Sequence, residues 1–355
     1  MVSYIDPRVK LFGHLDKLAA LKAGQRPAPV NVEIDLTNRC SLGCQWCHFA
    51  YTHTRGPWAG RAEKPAGAVS GGDVMEFETA VHILEQLEAA GVRSVTWTGG
   101  GEPTLHPRIH DVLTAAAGLG LDQGLYTHGG HLTPFLAMLA RKVCTWVYVS
   151  LDCTDAESYR REKGVDGFER ACAGVRNLVR AGGQATVGVG FLLHAGNWGR
   201  ADEMLALGRA LGADYVQFRP AVAYRQDAPG EIAEDTAWVD DCIDLLYGRQ
   251  APDVICDIDR FQMYRDWDGH GYATCWWAGL QTVITPNGKM WRCVNTREHA
   301  GALLGDLTRE SFADIWQRAG PCPVGPGCRV LCRGHVANVA LDEILRADRP
   351  HANFI

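Results

Sequence analysis

Between Val30 and Pro220 the sequence alternates short runs rich in β-branched and aromatic residues with helix-like stretches, and this alternation constrains the fold more than any other feature. The strand-like runs are Val30–Leu36, Ser94–Thr98, Gln123–Thr127, Trp146–Leu151, Thr186–Leu193 and Tyr215–Arg219. In the stretch after Glu76, Phe77, Val81, Leu84 and Leu87 share one helical face, and Gly91 is placed to stop the helix. Further helices are expected near His106–Leu119, Leu132–Lys142, Phe168–Ala181, Arg200–Leu211 and Thr236–Tyr247. Strands alternating with helices imply parallel βαβ units. Six strands fall short of the eight that close a full barrel, so an α/β partial barrel or open sheet is expected, with chemistry at the C-terminal strand ends.

Beyond about Gly230 the character changes. Gly279–Cys293 reads as a hairpin around Pro286-Asn287-Gly288, a strong turn signal. Cys275 precedes it, Cys293 ends it, and Cys322, Cys328 and Cys332 follow. A chain of 355 residues suits one large domain and a smaller one. The expected division is an N-terminal extension (1–29), a core (30–230) and a cysteine-bearing domain (231–355). The Gly/Pro-rich stretch Tyr51–Gly72 reads as a loop. There is no apolar run long enough for a membrane span and no N-terminal h-region, so a cytoplasmic protein with no membrane partner is expected. A net charge of −6 without a Lys/Arg tract argues against a nucleic-acid partner.

The thirteen cysteines are odd in number and locally clustered, which points to metal ligation in a reducing compartment and not to disulfides. Asn38–Phe49, "NRCSLGCQWCHF", places Cys40, Cys44 and Cys47 in a C-x3-C-x2-C spacing. A closed zinc site wants four ligands and would need His48 or a distant cysteine. Three thiolates on a cubane iron–sulfur cluster instead leave one iron open to a substrate or cofactor.

With Trp46 before its last cysteine, this motif resembles that of the radical S-adenosylmethionine (SAM) enzymes. The resemblance implies a partial (β/α)6 TIM-like barrel and a 4Fe–4S cluster whose open iron chelates SAM. Reductive cleavage of SAM would give a 5′-deoxyadenosyl radical that abstracts a substrate hydrogen, with electrons from a reducing partner such as flavodoxin or ferredoxin. "TGGGEP" after the second strand resembles the family's GGE motif and assigns Gly100, Gly101 and Glu102 to the SAM amino group. "YVSLD" at the fourth strand makes Ser150 and Asp152 ribose-binding candidates; capping a following helix is the alternative for Asp152. Thr127-His128-Gly129 departs from the family's Thr-Asn-Gly. Arg219 either faces the site or pairs with an acidic neighbour.

The Cys275–Gly288–Cys293 spacing resembles the start of the C-terminal SPASM and twitch extensions, and Cys322, Cys328 and Cys332 resemble the end of the SPASM pattern. Ala319 stands where that pattern has a further cysteine. This implies a small iron–sulfur domain with one auxiliary 4Fe–4S cluster, held by Cys275, Cys293, Cys328 and Cys332. Cys322 competes with Cys328 for one place or stands free as a hydrogen-atom donor, a role also open to Cys153. The expected reaction is oxidation of a small-molecule substrate (a sugar, aminocyclitol or nucleoside), with the auxiliary cluster as electron acceptor, as in antibiotic biosynthesis. The alternatives are epimerisation or dehydration of such a substrate, modification of a ribosomally made peptide, or a zinc-binding scaffold. The short segment before the first strand weighs against the peptide reading.

Overall fold

The computed structural model describes residues 6–47, 73–222, 236–298, 300–325, 328 and 332–346. The Tyr51–Gly72 loop and His48 lie outside the described residues. Among the described residues the strands form a single ten-stranded sheet. Six of its strands are those expected: β1 (Asn31–Asp35), β2 (Ser94–Thr98), β3 (Asp122–Thr127), β4 (Trp146–Ser150), β5 (Thr186–Leu193) and β6 (Tyr215–Pro220). They pair in parallel and in sequential order. Two short helices, α1 (Pro7–Lys10) and α2 (Leu15–Lys22), precede them. The connecting helices are α3 (Phe77–Ala89), α4 (Ile109–Gly118), α5 (Pro134–Val143), α6 (Ala156–Lys163), α7 (Phe168–Ala181) and α8 (Ala201–Ala210).

The sheet continues past β6. After α9 (Trp238–Tyr247), β7 (Val254–Cys256) adds in parallel to β6, and α10 (Ile258–Asp266) follows. On the other side, β8 (Gln281–Ile284) pairs in parallel with β1, so the second cysteine region is joined directly to the first strand. β9 (Lys289–Trp291) and β10 (Leu303–Asp306) extend this edge antiparallel. The expected hairpin is β8–β9, and Gly288 takes the positive φ of 74° that its turn requires. The helices α11 (Phe312–Arg318) and α12 (His335–Leu345) follow. Among the described residues no helix is long and apolar enough to cross a membrane.

Strand alternation separates two faces. Val32, Ile34, Val95, Trp97, Val147, Val149, Val189 and Phe218 are buried in the core beneath the helices. Each such side chain contributes roughly 1.5–3 kcal/mol on burial. The opposite, inner face is polar and aromatic. Tyr126 stands 4.9 Å from Trp146 and 5.1 Å from Tyr148, ring centre to ring centre. Glycines make room for these rings: a Cβ on Gly190 would collide with the Tyr148 hydroxyl, and one on Gly124 with the Trp146 indole. β1 presents two buried acids to this face, Glu33 and Asp35, which form ion pairs with Arg333 and Arg297 from the C-terminal region.

Gly190→Ala is therefore expected to destabilise the fold by about 1–3 kcal/mol, the usual cost of overpacking. Gly118→Ala, at a helix position with open space around it, should not. Thermal unfolding of the two variants side by side measures the difference.

Candidate functional site

A cavity of about 220 Å³ lies where the cysteine loop meets the C-terminal strand ends. Cys40, Cys44 and Cys47 line it together with Trp46, Gly101, Glu102, Ser150 and Asp152. The loop is fixed by a helix end: the Gly43 and Gln45 amides donate to the carbonyls of Lys163 and Glu162 at 2.9 and 2.8 Å. These are terminal carbonyls of α6 that have no partner within the helix. The Leu42 amide donates to the Cys40 sulfur at 3.5 Å, and the Trp46 ring lies 5.0 Å from that of His194. Burial raises the Cys40 and Cys44 thiols above their ordinary values, with the Lys163 charge working the other way at Cys44. The donor set fits a three-thiolate cluster. Among the described residues no three His, Cys, Asp or Glu side chains gather as they would about a single metal ion.

Glu102 is held at both carboxylate oxygens. Its Oε1 accepts from the Thr104 hydroxyl and the Thr127 hydroxyl, both at 2.6 Å, and from the Thr104 amide at 3.1 Å. Its Oε2 accepts from the His128 amide at 2.8 Å. Burial pushes this carboxyl up, but the His128 ring and these hydrogen bonds outweigh it and keep it below the usual range. The two glycines before it let the loop after β2 lie against the start of the cysteine loop, since a Cβ on Gly101 would strike the Arg39 carbonyl and one on Gly100 the Asn38 side chain. The Gly100 amide also bonds to Asp35. Gly100 thus shapes the cavity without lining it.

His128 is buried, and burial lowers its pKa against the pull of Glu102. Its Nδ1 accepts from the Gly130 amide at 3.1 Å, which leaves the proton on Nε2, 3.2 Å from the Ser41 hydroxyl. It therefore ties the cysteine loop to β3.

Asp152 has a positive φ of 62° and forms a buried ion pair with Lys163. Its Oδ1 accepts from the Leu192 amide at 3.0 Å. The helix-capping alternative falls to Asp155 instead, which accepts from the Ser158 amide at 2.8 Å at the start of α6. Burial works against the charge of Lys163, and Asp152 overcomes it and holds the ammonium well above its ordinary pKa. Lys163 also lines the cavity and was not legible in the sequence. It ends a helix whose eight residues carry five charges and no apolar stripe. Cys153 is buried in the hydrophobic core and does not line the cavity.

The second cysteine group gathers beside the hairpin. Thr274 and Pro323 form an antiparallel bridge, and the Cys275 amide donates to the Cys322 carbonyl at 2.8 Å. Their thiols interact directly: the hydrogen bond from Cys275, with the charges of Arg292 and Arg26, brings Cys322 down to about 7 against the cost of burial. Cys293 is pushed up to about 12 by burial, with Cys332, Cys322 and Cys328 adding to the shift. Trp276 and Trp277 pack against the apolar cluster of α2 and α12, and Trp291 is buried. The tryptophans here are packing residues.

The radical SAM superfamily model matches residues 34–207, and the SPASM model, an iron–sulfur cluster-binding domain, matches 275–321. A PqqA peptide cyclase of Streptomyces rochei is 30% identical over 299 residues, covering 81% of this chain and 76% of that protein. The PqqA peptide cyclase of a Methylobacterium species is 23% identical over 82% of this chain and 73% of its own length. With that of Gluconobacter oxydans the chain shares 28% identity but spans only 48% of its length. In fold, the chain resembles Streptococcus suis SuiB bound to S-adenosylmethionine, with a TM-score of 0.63 at 16% identity over 89% of this chain and 72% of that one. It also resembles anSMEcpe with bound AdoMet, with a TM-score of 0.60 at 14% identity over 82% of each chain.

The relatives that match about four fifths of the chain overturn the expected dehydrogenase acting on a small hydroxylated substrate, because they are named as peptide cyclases. Cluster motifs describe how a cofactor is held and leave the substrate unspecified. The sites and comparisons agree on one assignment: this chain belongs to the radical SAM superfamily and carries a SPASM iron–sulfur cluster-binding domain.

Proposed function

We propose that this enzyme modifies a peptide by radical chemistry. The observation that carries the reading is the similarity to a PqqA peptide cyclase over 81% of the chain. The SAM-binding cluster, when bound, would supply the electron that splits SAM and so the radical that takes a substrate hydrogen. A low-potential reductant such as flavodoxin or ferredoxin would charge it.

The chain's own residues then have assignable tasks. Cys40, Cys44 and Cys47 hold the SAM-binding cluster, and Trp46 walls the cavity beside them. Glu102 receives the SAM ammonium, because its Oε2 accepts only the His128 amide as a close hydrogen bond and keeps acceptor capacity. Lys163 offers a buried positive charge for the SAM carboxylate. Ser150 and Asp152 face the ribose, and Asp152 is kept in place by Lys163 and the Leu192 amide. Cys275, Cys293 and Cys332 hold an auxiliary cluster. Cys322, paired with Cys275 across the bridge, is a better fourth ligand than Cys328 and is no longer needed as a hydrogen donor.

Incubating the reconstituted enzyme, SAM and a reductant with the short peptides encoded beside its gene should yield 5′-deoxyadenosine and a peptide of altered mass. A bond formed between two peptide carbons would remove two hydrogens. SAM cleavage that leaves every such peptide unchanged, while a sugar or cyclitol is consumed, would sink the reading.

Glu102→Gln is expected to weaken SAM binding about ten- to a hundredfold, the worth of a buried charge-assisted hydrogen bond, without loss of iron. Calorimetric titration with SAM, beside an iron assay, checks both halves.

Reconstituted protein should hold about eight irons and eight sulfides, and the Cys40/Cys44/Cys47→Ala variant about four of each. In that background Cys322→Ala should release the remaining cluster more readily than Cys328→Ala, as read by iron content and the low-temperature electron paramagnetic resonance signal.

A further inference from the structure

β6 ends its inner face with Arg219, which stands in register with Leu192 of β5. Leu192 lines the cavity, so Arg219 sits one strand further round the same interior. Its Nη2 donates to the Tyr148 hydroxyl at 2.7 Å, and its guanidinium carbon lies 4.8 Å from the centre of that ring. Its Nε is buried without a hydrogen-bond partner. The nearby acids are committed elsewhere. Asp152 is paired with Lys163, and Asp257 lies 3.8 Å from Arg260. Two other arginines brought against this interior, Arg297 and Arg333, each meet an acid on β1. Arg219 meets none among the described residues.

A guanidinium is always charged, and no carboxylate among the described residues comes within ion-pair distance of this one; Asp152 and Asp257 favour its charge from further away. Tyr148 uses its oxygen to accept from Arg219 and keeps a proton to donate. The pair presents mainly donors, which complements a carboxylate, a group with acceptors only. Tyr126, whose ring packs on Tyr148, lines the cavity, so the pair adjoins the place where a hydrogen would be taken.

We propose that Arg219, oriented by Tyr148, binds an acidic side chain of the peptide substrate and so selects and positions the residue that reacts. This rests on the peptide reading above. The probes are end-blocked Gly-Glu-Gly, end-blocked Gly-Gln-Gly, Gly-Gly-Gly with a free C-terminal carboxylate, and glutarate. Each is titrated into the cluster-loaded, SAM-bound enzyme. The blocked Glu peptide should bind at least about tenfold tighter than its Gln counterpart. Arg219→Gln should erase that difference with SAM affinity unchanged, and Arg219→Lys should keep part of it, which a merely structural role for the guanidinium would not do. Equal binding of the two blocked peptides, a preference that survives in Arg219→Gln, or binding of none of the probes would overturn the proposal. Tighter binding of the free-ended tripeptide would overturn the side-chain assignment in favour of a chain terminus. Glutarate binding that Arg219→Gln abolishes, with no peptide bound, would keep the carboxylate site and remove the peptide reading.

Discussion

Two ion pairs beneath the first strand hold the molecule's two halves in one frame. Glu33 and Asp35, two residues apart on the inner face of β1, meet Arg333 and Arg297. Asp35 is fully buried, and burial raises its pKa even against the Arg297 charge. Breaking such a pair by removing one partner leaves an uncompensated charge and typically costs about 3–5 kcal/mol. Arg333 adjoins Cys332, Arg297 follows Cys293, and β1 runs on into Cys40. The same strand therefore sets where both cysteine groups stand. Its pairing with β8 on one side and β2 on the other adds backbone hydrogen bonds to that frame.

Around this strand the site is assembled from elements far apart in sequence. The cysteine loop borrows carbonyls from the end of α6, Glu102 is fixed by β3, and His128 reaches back to Ser41. Each contact satisfies a polar group that burial would otherwise leave unpaired, so the cavity is shaped before any cofactor arrives. Lys163 concentrates this logic, because one ammonium neutralises Asp152 and lowers the cost of charge at Cys44.

Most of the frame could be read from the sequence, because strand alternation and the cysteine spacing are local patterns. Ser94–Thr98 and Thr186–Leu193 fall where the residues placed them, and so does helix α7. α6 could not be read, since Ala156–Lys163 has no apolar stripe and is held by capping at Asp155 and docking of the cysteine loop. β7 and β10, of three and four residues, are too short to stand out from loops. The partners of Glu33, Asp35 and Asp152 are set by tertiary contact, which no spacing rule reveals. The substrate was misread for a different reason: the motifs belong to the cofactor.

Among the described residues the sheet does not close: β7 and β10 are its two edges, and no strand joins them. In a closed barrel the mouth limits everything that enters, from the reacting group to the length of chain behind it. An open sheet separates those limits. The cavity of about 220 Å³ limits the size of a group that can approach the thiols, while nothing in the strand order requires what lies behind that group to pass through a closed ring.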